Sequence, residues 1–260
     1  MTIGKFVWYD LMTTDTKAAE AFYGEVIGWK VTDAGMPGRF YGILHAGDKQ
    51  AGGLMPVPDD AKGMPPMWMG YIGVDDVDAY CAKVISAGGK IYREAQDIPG
   101  VGRFAVAADP HGAGFILFQG SGGIAPDPAN QMLKGHVGWN ELHAGDWAEA
   151  LAFYAKLFGW TQSTAMDMGP MGTYQLFKTG DAHDAGGMMT KMKEAPAPFW
   201  HFYFNVEDID AAAARITKAG GKILNGPMEV PGPMWVITAF DPQGAIFAVV
   251  GKRASKETLH

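Results

Sequence analysis

The chain has 260 residues, 48% of them apolar and 19% charged, with a formal net charge of −7; this is the balance of a globular protein large enough for one big domain or two ordinary ones. The acidic balance and the absence of any basic run argue against a nucleic-acid partner, whose phosphates demand a Lys/Arg footprint, and against an anionic membrane surface. No apolar run approaches the ~18 residues of a membrane span, and the opening "MTIGKFVWYDLMTTD" reaches an aspartate too early for a secretory leader.

In chain order, "FVWYDLM" reads as a strand and Asp15 as the N-cap of a helix. On that helix Ala19, Phe22, Tyr23, Val26 and Ile27 recur at helical spacing, and Gly28 stops it. Short strands with glycine turns follow: "WKVTDA", "FYGILHAGD" and "AGGLMPV". The pattern βαβββ is then written again, with strand "MWMGYIGV", helix "DDVDAYCAKVISAGG", and strands "KIYREA", "GRFAVAA" and "GAGFILF". The single cysteine, Cys81, lies in this second helix and reads as a packed residue. Its solitude fits a reducing cytoplasm.

The next segment, "QGSGGIAPDPANQMLKG" at 119–135, has a linker's composition, and beyond it the first half starts over. "WNELHAGDWAEALAFYAKLFGW" at 139–160 matches "WYDLMTTDTKAAEAFYGEVIGW" at 8–29 in nine positions, and further pairs such as "DPHGAGF" and "DPQGAIF" keep offsets of 131 to 134 residues. Ala150, Phe153, Tyr154, Leu157 and Phe158 repeat the apolar helix face behind Asp146 as N-cap. Internal repetition at this period sets the architecture: an α+β chain of two domains, 1–120 and 135–255, joined by a linker at 121–134. Each domain is built from two βαβββ modules whose sheet forms a cup. "GSGG" and "AGGK" are turns, because neither stands between a hydrophobic strand and a helix N-terminus as a phosphate loop does.

Strand alternation puts Trp8, Asp10 and Met12 on one face, and Trp139, Glu141 and His143 on the same face of the second copy. The neighbouring strands contribute Met69 and Tyr71 in the first domain and His201, Tyr203 and Asn205 in the second. Glu141, with its carboxyl raised by an apolar wall, and His201 or His143 as proton-transfer partner form a candidate acid–base group suited to enolisation beside a carbonyl. The same carboxylate can equally serve as a hydrogen-bonded member of the sheet, with the histidines satisfying it. The remaining histidines, His45, His111, His136, His183 and His260, fall in turns or at chain ends and read as solvated. Sixteen methionines, clustered as Met55, Met64, Met67 and Met69 in one domain and Met166, Met168, Met171, Met188, Met189 and Met192 in the other, suggest a pocket for an apolar or aromatic small molecule.

Phe22-Tyr23 and Gly28-Trp29 after a strand, Ala-Gly-Gly-Lys after a second helix, and Asp-Pro-x-Gly-Ala before a last strand resemble the vicinal-oxygen-chelate superfamily of glyoxalases, bleomycin-resistance proteins and extradiol dioxygenases. More narrowly, "WYDLMTTD", "GMPPMW", "WNEL" and "WHFYF" resemble tandem-domain glyoxylases or hydroxylases. The resemblance implies a tandem glyoxalase-like fold and a lyase or isomerase of glyoxalase type. Where relatives hold a divalent metal, the implied places fall on Trp8, Gly53, Met69 and Ile116 in one domain and on Trp139, Gly187, His201 and Ala248 in the other. Only His201 can ligate, so no cofactor is expected. A divalent metal gathered by Glu141, His143 and His201 at a displaced place stays open. The alternative to an enzyme is a binding or sequestering protein of the bleomycin-resistance type.

Overall fold

In a computed structural model of the chain, residues 3–121 and 133–254 are described; the linker expected at 121–134 therefore lies mostly outside them. The first copy runs β1 (Phe6–Thr13), α1 (Thr16–Val26), β2 (Lys30–Asp33), β3 (Gly42–Ala46), β4 (Lys49–Pro56), β5 (Met67–Gly73), α2 (Val77–Ser86), β6 (Lys90–Ile98), β7 (Gly102–Ala108) and β8 (Gly114–Gly120). The second repeats it as β9 (Val137–Ala144), α3 (Trp147–Phe158), β10 (Thr161–Asp167), β11 (Thr173–Lys178), β12 (Gly186–Thr190), β13 (Phe199–Asp208), α4 (Ile209–Lys218), β14 (Lys222–Val230), β15 (Met234–Phe240) and β16 (Ile246–Lys252). Two eight-stranded sheets result, ordered β2-β3-β4-β1-β5-β8-β7-β6 and β10-β11-β12-β9-β13-β16-β15-β14. Within each module the first strand pairs parallel with the last, as β9 does with β12 and β13 with β16, while hairpins join the rest antiparallel. This is the α+β repeat of βαβββ modules that the sequence spells out.

Each helix starts on an aspartate whose side chain accepts orphan N–H groups of the first turn: Asp15 from Ala18 at 3.0 Å, and Asp146 from Ala148 and Glu149 at 2.9 Å each. Such a cap is worth about 1 kcal/mol. Gly159 ends α3 in the left-handed region at φ 72°, where a side chain would be strained. No described helix is long and apolar enough to cross a membrane.

The chain divides into two compact units, and each draws on both copies. One contains residues 1–9, 69–129 and 139–201. Its core is aromatic. Trp160 stacks on Tyr154 and Phe177 with ring centroids 4.8 and 4.6 Å apart, and Phe115 packs edge-on to Tyr154 at 5.6 Å. The polar edges of these rings are satisfied, since Trp160 Nε1 donates to the Gly4 carbonyl at 2.6 Å and Trp200 Nε1 to the Tyr154 hydroxyl at 3.0 Å. Pairs of this kind add roughly 0.5–1.5 kcal/mol beyond area burial. Cys81 belongs to this unit, buried as expected, and burial pushes its thiol up.

The other unit contains residues 10–68, 130–138 and 202–260. Trp29 and Trp68 pack edge-on to one another and against Phe204. Trp29 Nε1 donates to the Gly135 carbonyl at 2.8 Å, and Trp68 Nε1 to the Tyr23 hydroxyl at 3.1 Å. That hydroxyl donates in turn to Asp241 Oδ2 at 3.1 Å, while Asp241 Oδ1 accepts the N–H groups of Gln243 and Ala245 at 2.9 Å each. The Asp-Pro-x-Gly turn of the second copy is thereby tied to the first helix of the first. Burial raises the Asp241 carboxyl despite these bonds. Asp241→Ala should cost about 2–3 kcal/mol, because it strands buried donors. Asp241→Asn keeps an acceptor for the turn and should cost less than half as much; urea unfolding midpoints read both.

Candidate functional site

On β9, Glu141 and His143 point to the same face as Trp139, as alternation requires. The register places His143 opposite Met189 on β12 and Met189 opposite Tyr174 on β11, which faces Met166 on β10. One row therefore reads His143, Met189, Tyr174, Met166. Two residues along, Glu141 faces Gly187, which faces Leu176. Gly187 is the reason the two rows communicate, since a Cβ there would collide with the ring and hydroxyl of Tyr174. The phenol lies across the bare glycine and donates to Glu141 Oε2 at 2.7 Å, while accepting the Trp139 indole N–H at 2.7 Å.

The other carboxylate oxygen faces a histidine: His143 Nε2 lies 2.8 Å from Glu141 Oε1. The His143 ring is stacked on Phe199, with centroids 4.6 Å apart and planes within 9°. His201, on β13, presents a second imidazole 5.8 Å from the first. Glu141 is 9% exposed and His201 2%, while the His143 side chain keeps 19% exposure. Donor atoms of Glu141, His143 and His201 all lie within 4.8 Å of one another.

Burial alone would raise the Glu141 carboxyl. The hydrogen bond and charge of His143, the charge of His201 and the Tyr174 hydroxyl outweigh it and hold the group down at about 2. The raised carboxyl expected from apolar neighbours is thus corrected in sign, because direct contact with His143, joined by His201 and Tyr174, outweighs desolvation. Glu141 is an anion at neutral pH. It can orient and stabilise a charged imidazole, and it cannot serve as an acid.

The first copy supplies an internal comparison. Asp10, 1% exposed, accepts the Tyr41 hydroxyl at 2.8 Å across Gly53, where a Cβ would again collide with both groups. Met12 faces Met55 in the row that His143 and Met189 occupy in the second copy. The carboxylate–tyrosine bond over a glycine is common to both copies, whereas an imidazole on the first strand belongs to one alone.

Of the other expected residues, Trp8 is half-buried on β1, and Met69 and Tyr71 are buried on β5, Tyr71 edge-on to Phe118 at 5.9 Å. In the second unit Tyr203 is buried opposite Ala248. Asn205 donates to the Leu133 carbonyl at 2.9 Å and packs over Gly138, a structural tie. Two histidines expected in solvent are not there. His136 is buried at 6% exposure. His111 Nε2 lies 3.0 Å from Glu149 Oε2, its ring filling the space that the bare Gly145 leaves. An open depression of about 300 Å³ lined by Glu25, Lys134, Glu207 and Arg215 contains none of the site residues. Its charges are engaged locally, Lys134 with Glu207 and Arg215 with the Val26 carbonyl.

Tyr174, Tyr41 and Phe199 were not singled out by sequence. The signal that could have found the tyrosines is the repeat itself, because both stand at the common offset and each copy keeps a glycine pair on the strand between tyrosine and carboxylate.

The family model for the Glyoxalase/Bleomycin resistance protein/Dioxygenase superfamily matches residues 5–117 and again 135–249. The chain belongs to this superfamily. Among curated superfamily relatives, the "Putative glyoxylase CFP32" of Mycobacterium bovis is 39% identical over 94% of this chain and 93% of its own length. The "Anthracycline biosynthesis protein DnrV" of Streptomyces peucetius is 31% identical over 96% and 94%. Among solved structures, the Mn(II)-bound glyoxalase from Novosphingobium aromaticivorans aligns with a TM-score of 0.65 at 18% identity, covering 96% of this chain and 83% of that one. The 2,2',3-trihydroxybiphenyl 1,2-dioxygenase from Sphingomonas wittichii aligns with a TM-score of 0.67 at 13% identity, over 99% and 94%. At these identities the structural likeness concerns the fold alone; the superfamily reading of the repeat is borne out by the family model and the curated relatives.

Proposed function

We propose that this superfamily member is an enzyme performing acid–base chemistry on an apolar, carbonyl-bearing small molecule in its second copy. His143 moves the proton and Glu141 holds it in place. The observation that carries this reading is the 2.8 Å contact between His143 Nε2 and Glu141 Oε1 on a carboxylate whose second oxygen is fixed by Tyr174. An anionic partner at Nε2 fixes the neutral ring's proton there and leaves Nδ1 as the acceptor. That atom takes a proton from the carbon beside the carbonyl, and Glu141 stabilises the imidazolium that results. The imidazolium exchanges that proton with solvent and returns one to the same carbon, and His201 lies beside it as the second imidazole. The first copy supports the assignment: it keeps the carboxylate and tyrosine and has Met12 where His143 stands.

A second reading is favoured by the donor set itself. Two imidazoles and a carboxylate within 4.8 Å fit a borderline divalent ion such as manganese, iron or zinc. Glu141, His143 and His201 would hold it, and such an ion supplies polarisation of a carbonyl oxygen. The relative named for glyoxylase activity and the Mn(II)-bound structural neighbour are compatible with either reading.

The experiment is proton exchange in D₂O, followed by NMR on a panel beginning with 2-hydroxyacetophenone, with native mass spectrometry before and after a chelator. Deuterium entering beside the carbonyl with chelated protein supports the acid–base reading. Exchange that disappears when the chelator removes a stoichiometric metal supports the second. Ligand retained without exchange under both conditions overturns both and leaves a binding protein.

A further inference from the structure

The methionines near the site are distributed in a way that catalysis alone does not require. Met189 lies in the sheet row between His143 and Tyr174, and Met166 lies beyond Tyr174. Past the end of β10, Met168 and Met171 stand in the connection to β11, where the Met168 N–H donates to the Gly172 carbonyl at 2.8 Å. Met192 is the second residue past β12, after Lys191, whose N–H donates to the Ala144 carbonyl at 2.7 Å; Ala144 is the residue after His143. These segments lie at the same end of the sheet as His143. Met168, Met171 and Met192 are 37%, 44% and 49% exposed, large apolar side chains kept in water.

Singly exposed hydrophobics need no explanation, but a set gathered at one end of a candidate site does. Thioethers are flexible and polarisable, and they contact aromatic rings at the ring edge with about 0.3–1.5 kcal/mol each. At the same end of the sheet, next to Met189 in register, the Phe199 and His143 rings lie in near-parallel stack at 4.6 Å and present a flat wall. A flat wall and an adaptable thioether rim together favour a planar ring over a saturated one of equal size.

We infer that Met168, Met171 and Met192, with Met166 and Met189 behind them, form the recognition rim of the site and select a planar aromatic carbonyl compound. The inference rests on the proposed function for the place of the carbonyl, and it names the class of molecule that function acts on.

The test uses the full chain labelled with ¹³C at the methionine methyl groups and titrated with 2-acetylnaphthalene. 2-Acetyldecahydronaphthalene, with the same carbon count, serves as the saturated control. The rim methyl resonances should shift upfield and saturate, while those of Met64 and Met228, 48% and 45% exposed, stay in place. The saturated ketone should bind at least tenfold more weakly. A triple Met168→Gln, Met171→Gln, Met192→Gln variant, confined to exposed side chains, should fold and lose about tenfold in affinity for the naphthyl ketone. Shifts that include Met64 and Met228 equally, no shift up to the probe's solubility, or an unaffected triple variant would each overturn the rim. Ring-current shifts need no turnover, so a rim that binds a probe whose protons never exchange separates failure of the proposed function from failure of this inference.

Discussion

His143→Ala is expected to slow deuterium exchange by about 10²–10⁴-fold, the usual contribution of a positioned acid–base group, and to leave the fold intact. The ring contributes no backbone bond, but its loss leaves the buried Glu141 carboxylate one partner short, so the thermal midpoint should fall although the protein still folds. The substitution also removes the foremost opponent of desolvation at Glu141, whose carboxyl should rise from about 2. Its ¹³C titration reads that rise directly. Glu141→Gln tests the other half of the pair. The amide keeps a partner for Tyr174 but can set an N–H against the imidazole, which favours the wrong tautomer. Exchange should fall by a comparable factor while stability changes little. Full exchange in both variants would remove the dyad from the mechanism.

Gly187→Ala should have the largest effect of any single methyl group added to the site. The new Cβ lands on the Tyr174 ring and hydroxyl, so the phenol must leave Glu141 or the strands must separate. Overpacking of this kind costs about 1–3 kcal/mol. Losing the Tyr174 hydrogen bond leaves a buried carboxylate with one partner fewer. Urea unfolding should show the loss, and Tyr174→Ala placed on top should recover part of it by vacating the space, a coupling that a double-mutant cycle measures. Gly53→Ala produces the same collision with Asp10 and Tyr41 in the first copy. There it should reduce stability by a similar amount and leave exchange unchanged, which separates the structural cost of the bond from its part in chemistry.

Much of the fold was legible because the determinants are local. The helix faces of α1 and α3 follow from the spacing of Ala19, Phe22, Tyr23 and Val26 and their counterparts, and the capping aspartates precede each helix in sequence. Turn chemistry at Asp241 was equally readable. The grouping of Glu141 and His143 followed from strand alternation, and His201 from its place on a neighbouring strand. What sequence did not yield was everything set across strands. Tyr174 reaches Glu141 from two strands away, over a glycine whose role appears only once the register is known. The sign of the Glu141 shift depends on that tyrosine and two imidazoles; His143 was in view two residues away, but its 2.8 Å contact with the carboxylate and the added Tyr174 bond were not. His111 stands in the turn as read, but its side-chain partner was not legible because nothing near it in the chain announces Glu149 or Gly145.

The duplicated arrangement of tyrosine, bare glycine and carboxylate has a consequence for redesign. In the first copy Asp10 is already braced by Tyr41 across Gly53, and Met12 holds the coordinate of an imidazole. A single codon, Met12→His, would therefore add a proton carrier to a ready-made socket instead of building one. The first copy thus differs from the second by a methionine in the place of an imidazole, and tolerance of that graft would show how readily the carboxylate–tyrosine frame accepts one.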